Sequence, residues 1–149
     1  MTGGHPGAEQ LLAMKGRQLR VPRAAMGVAR FSFHDLCEQP LGASDYLRIA
    51  REFHTIILDR IPVMDDEHRN EAKRFIILID ALYDNAVKLL ASAAAGPAAL
   101  YRASEGFEAQ EFHRTASRLI EMQADSYLAL PHGRRDSSAS PVAEGLVET

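Results

Sequence analysis

Three groups of residues have the types and spacing to do chemistry. Asp59 lies near the end of the run TIILDR, Thr55 to Arg60. Apolar-leaning residues ending in an acid at the carboxyl end of a strand form the Walker B arrangement, in which the carboxylate orients a magnesium-bound water. Ligands in α/β sheets bind beyond those strand ends. Here the acid is followed by Arg60 and not by a glutamate, so a plain ion pair with a neighbouring arginine satisfies the same residues. Ser92 closes VKLLAS, the next strand signal. A polar side chain there occupies the place of a γ-phosphate sensor; a small residue turning from strand to loop is the simpler reading. Arg114 and Arg118, in EFHRTASRLIEMQ, stand i, i+4 on one helix face. Two stacked guanidiniums repel unless an anion lies between them. That anion is either a phosphate or partner's acid, or an internal carboxylate such as Glu121 or Asp125.

A triphosphate needs more than these groups. The loop G-x-x-x-x-G-K-[ST] cradles phosphates with backbone N–H groups and a lysine. The chain has only Lys15, Lys73 and Lys88, none of them after a glycine, and no G-x-G-x-x-G. His54, His68 and His113 fall on separate elements with no metal-ligand spacing. Lys15, Arg17, Arg20, Arg23 and Arg30 against Glu9 leave a local excess of four positive charges. That patch suits an acidic partner or nucleic acid, and equally suits a charged sheet edge that resists aggregation. With a net charge of -3, general polyanion binding is not expected, and nucleic acid is not an expected partner.

The elements that must hold these residues alternate in type. RQLRVPR (17–23) and VARFSF (28–33) read as strands joined by a hairpin, with Pro22 pushing the first to an edge. Ser32 and Asp35 form a capping-box pattern for a short helix that Pro40 and Gly42 end. Ser44 reads as the N-cap of SDYLRIAREF, which has apolar residues at i, i+3, i+4 and i+7. HTIILDRI (54–61) is an unbroken apolar run suited to a strand buried on both faces. NEAKRFIILIDALYD lies in a helix over 66–84, capped by Asp65 or Asp66 and apolar around most of its circumference, so packed on more than one side. VKLLAS (87–92) reads as a second buried strand, PAALYR as a short helix, and Glu111 to Leu128 as a last helix. The fold class is therefore α/β: an N-terminal β-hairpin, a parallel βαβ unit over 54–92 with flanking helices, and a C-terminal helix.

The chain of 149 residues, 46% apolar and 25% charged, is expected to form a single α/β domain over 14–130, with a flexible N-terminus at 1–13 and a disordered tail at 131–149. No apolar run approaches the ~20 residues of a membrane span. The lone Cys37 excludes an internal disulfide, and the cytoplasm is the default compartment.

Three long segments carry a family resemblance. GRQLRVPRAAMGVARFSFHDLCEQPLGASDYLRIAREFHTIILDRIP, RNEAKRFIILIDALYDNAVKLLASA and FHRTASRLIEMQADSYL resemble the C-terminal region of the ZapE family. These are AAA+-type P-loop ATPases linked to bacterial cell division, with mitochondrial relatives called lactation-elevated proteins. The resemblance implies an AAA+-like fold, ATP and magnesium as family cofactors, cell-division partners, and a cytoplasmic or membrane-peripheral place. The family's Walker A and Walker B segments lie upstream of the resembling region. The expectation is thus an N-terminally truncated form that docks on an upstream P-loop core and neither binds nor hydrolyses ATP on its own. The alternatives are a free-standing non-catalytic interaction module and a truncated gene product. The resemblance also implies a nucleotide or subunit interface at Arg114 and Arg118.

Overall fold

The two strand signals between residues 17 and 33 become the middle of a five-stranded sheet in the computed structural model, which describes residues 7–103 and 105–133. The strands are β1 (Ala8–Met14), β2 (Arg17–Ala25), β3 (Val28–Ser32), β4 (Thr55–Ile61) and β5 (Lys88–Ala93), and their spatial order follows the chain. β1, β2 and β3 are an antiparallel meander; β3, β4 and β5 are parallel. The β2–β3 turn is Met26–Gly27, with φ of 56° and 81°, left-handed at both central residues as a two-residue hairpin of matching twist requires.

α1 (Phe33–Cys37) and α2 (Ala43–Glu52) connect β3 to β4, and α3 (Arg69–Asp84) crosses from β4 to β5. α4 (Phe107–Glu121) and α5 (Asp125–Leu128) follow. α1, α2 and α4 all pack on α3, so these helices form one layer. Ala29, Phe31, Ile56 and Leu58 are buried. The intervening Arg30 and Leu90 are exposed, and Ile57 and Asp59 are partly so. A ring series, Phe33–Phe75–Phe112–Tyr101, with centroids 6.2, 6.0 and 5.5 Å apart, ties α1, α3 and α4 together.

Several expectations change. Ala8–Met14, of which residues 8–13 are expected in a flexible N-terminus, is the outer strand β1, with Leu12 and Leu19 buried as partners. Residues 1–6, and most of the proposed tail at 131–149, lie outside the described residues. Pro22 is not on an edge strand. It lies in a bulge of the inner strand β2, where Pro22 and Arg23 together oppose Glu9, so its missing N–H disrupts no regular ladder. β4 is not buried on both faces: Thr55, Ile56 and Leu58 are buried but Ile57 between them is only half-buried, because helices cover one face only, and β5 is an edge strand exposed from Leu90 to Ala93. The residues at 66–68 form a 3-10 turn capped by Asp65, and α3 begins at Arg69. Gly42, not Ser44, is the N-cap of α2; its N–H donates to Asp45 Oδ2 at 2.8 Å. Within PAALYR only Pro97–Ala99 turns, as a 3-10 helix. The last helix divides into α4 and α5 at Met122–Ala124.

Candidate functional site

The fold brings Asp59 and Ser92 to the same end of the sheet, within the last residues of β4 and β5. Arg30 on β3 donates from Nε to Asp59 Oδ2 at 2.7 Å and from Nη2 to Oδ1 at 3.2 Å. The partner is thus an arginine from the neighbouring strand, not Arg60, and the fork engages both carboxylate oxygens. Asp59 raises the pKa of Arg30 further, chiefly through this hydrogen bond. A metal ion at Asp59 would have to displace that fork. Ser92 Oγ accepts the backbone N–H of Arg60 at 2.8 Å. This bond closes a bulge in which Asp59 and Arg60 oppose Ser92, and Arg60 adopts a φ of 62°.

Arg114 and Arg118 lie elsewhere. α3 starts beyond the end of β4 and returns to the start of β5, so Asp80 in its last turns sits at the opposite end of the sheet. Asp80 receives both arginines: Arg114 Nη2 donates to Oδ2 at 3.2 Å, and Arg118 Nη1 donates to Oδ1. Arg114 also pairs with Glu111 at 2.8 Å. Arg118 stacks on the Tyr83 ring, 4.6 Å from its centroid. Glu121, one of the internal partners suggested by spacing, instead accepts from the Tyr83 hydroxyl at 2.9 Å. Burial pushes the Asp80 carboxyl above its ordinary pKa, and Arg118 and Arg114 offset this only in part. The cluster locks α4 onto α3.

Sequence reasoning missed Asp80, and it put Arg30 in a basic patch without joining it to Asp59. Asp80 breaks the apolar run LIDALYD, and an acid inside such a stripe is itself a sign of a charged partner from another element. Arg30 alternates with Ala29 and Phe31, and only the β3–β4 register brings it to Asp59. Among the described residues no cluster of three or more His, Cys, Asp or Glu side chains could hold a metal ion.

A third feature is an open groove of about 560 Å³ between β5 and the end of α4, walled by Ile61, Leu89, Leu90, Leu119 and Met122. Leu90 is 44% exposed. β5 pairs only with β4, so its outer backbone edge is free among the described residues. KLLASA has one charge and no proline, and thus few of the features that block pairing at a sheet edge.

The family model for AFG1-like ATPases matches residues 1–131. Cell division protein ZapE of Escherichia coli K12 is 40% identical over 116 aligned positions, covering 74% of this chain and 30% of the relative. Lactation elevated protein 1 homolog B of Danio rerio is 33% identical over 150 positions, covering 79% and 29%. The chain thus spans less than a third of the length of these relatives. No solved structure matches it.

Proposed function

Since the chain belongs to the AFG1-like ATPase family, we propose that it is the C-terminal module of an ATP-hydrolysing protein linked to cell division. On this reading it docks on the nucleotide-binding core through the β5–α4 groove. The observation that carries this is the one-layer architecture. A parallel sheet is ordinarily covered on both faces, yet here Ile57 is only half-buried, Leu90 is 44% exposed, and the β5 edge is unpaired among the described residues. The proposed occupant is the family's ATP-binding core, because the relatives are more than three times as long as the part this chain covers.

The chain's own residues do not fit magnesium–ATP. No lysine follows a glycine, and Asp59 has both oxygens on Arg30. ATP and magnesium are assigned to the proposed core, and no chemical step is assigned to this chain. Arg114 and Arg118 then act at the subunit interface by position. They fix α4 on α3, and so hold the Leu119–Met122 wall of the groove. The reading places the protein in the cytoplasm or at a membrane surface. No helix among the described residues is long and apolar enough to cross a membrane.

The test mixes the purified chain with the part of the Escherichia coli relative that the alignment leaves uncovered. Sedimentation and ATP turnover are followed. An equimolar complex with altered turnover is expected, and Leu90→Glu should weaken it at least about tenfold by forcing a charge into an apolar contact. A chain that stays monomeric beside the core, or a complex indifferent to Leu90→Glu, overturns the docking surface.

A further inference from the structure

The two irregularities in the sheet converge on one place. The β2 bulge holds Arg23 opposite Glu9, and the β4 bulge holds Arg60 opposite Ser92. β3 runs between these strands, with Arg23 paired to Arg30 and Ser32 paired to Asp59. Arg23, Arg30 and Arg60 line one open cavity of about 480 Å³ with Ser32, Asp35 and Asp59, at the carboxyl ends of β3 and β4. Bulges re-aim side chains and recur beside binding sites. A left-handed arginine inside a strand is a strained conformation of the sort that concentrates at such sites.

The charges in the cavity are not equivalent. Asp59 is engaged by the Arg30 fork. Asp35 takes the Ser32 N–H at 2.8 Å in the capping box of α1. Among the described residues, Arg23 and Arg60 have no ion-pair partner. The lining carries three guanidiniums against two carboxylates, and the two unpaired cations come from separate strands. Guanidinium forks match the tetrahedral oxygens of a phosphoryl group.

We propose that this strand-end cavity binds a phosphate dianion through Arg23 and Arg60, with the Arg30–Asp59 pair as its rigid floor. This site is independent of the docking groove, which lies on β5 and α4. Free phosphate and the phosphates of a nucleotide share this chemistry.

The experiment titrates the full chain with inorganic phosphate, pyrophosphate and ADP, followed by calorimetry and by 31P line broadening. The variants are Arg60→Gly, Arg23→Gln and, as a remote control, Arg48→Gln on α2, outside the cavity lining. Glycine suits the left-handed backbone at position 60, so Arg60→Gly keeps the fold, and a thermal melt checks that it does. Saturable phosphate binding is expected, weakened about tenfold or more by either cavity variant, in keeping with the loss of a charge-assisted contact, and unchanged by Arg48→Gln. ADP binding tighter than pyrophosphate assigns the phosphate to a nucleotide; equal or weaker binding assigns it to a phosphoryl group alone. The proposal is overturned if the folded wild-type chain shows no saturable binding, or if Arg60→Gly and Arg23→Gln bind like the control.

Discussion

Gly27 and Arg60 both have a positive φ, but for different reasons. A Cβ on Gly27 would lie 2.5 Å from His54 Cδ2, and the His54 ring also bonds the Met26 carbonyl through Nε2 at 3.1 Å. Gly27→Ala should therefore cost about 2–3 kcal/mol, from left-handed strain and overpacking together. Urea melts check this, and His54→Ala in the same background should restore part of the loss. Arg60 already carries its side chain on a left-handed backbone at φ 62°, so Arg60→Gly should leave stability unchanged or raise it by roughly 1 kcal/mol. Asp80 gives a prediction in pH. Its folded-state pKa lies above the unfolded one, so the folded chain holds that proton more tightly. The contribution is fully present below the unfolded value of about 4 and is lost as pH rises through the higher folded value. Asp80→Asn has no such proton. Wild-type stability relative to Asp80→Asn should rise as pH falls from 7 to about 4, read as the difference in urea midpoints.

The elements show what could be read in advance. The crossover α3 was legible because its apolar residues recur with helical period and outnumber the polar ones; Ala72, Phe75, Ile76, Leu78, Ile79 and Leu82 are all buried. Ile76→Asp should accordingly cost several kcal/mol, as an unpaired charge buried against the core. Circular dichroism during denaturation would show the loss. β1 was not legible, because AEQLLAM holds neither alternation nor β-branched residues. Its two leucines point opposite ways, Leu11 at 55% exposed and Leu12 at 2%, and only pairing with β2 makes it a strand. Pro22 was misplaced because sequence shows a missing donor but not the bulge that accommodates it. Of the candidate site, Asp59 and Ser92 were visible from their strand ends. Their partners Arg30 and Arg60 were not, since cross-strand register joins residues far apart in sequence.

At the scale of the molecule, a single helical layer covers one face of the sheet among the described residues, and β5 ends that sheet without a guard there. The same exposure that suits a docking partner is a liability when none is present. The purified chain should self-associate as its concentration rises, and Leu90→Lys should suppress this with little change in melting temperature. Sedimentation velocity across a concentration series decides the point; a chain that stays monomeric throughout argues that the β5 edge is already protected. The strand order has its own consequence for how the molecule is made. Because the strands lie side by side in the sequence in which they are translated, each strand after β1 leaves the ribosome to find a neighbour already made. No strand has to be threaded between two others, and non-local pairing begins only after a local meander exists to act as template. Synthesis can therefore lay the sheet down from one side to the other, and the margin it leaves growing at the end is β5.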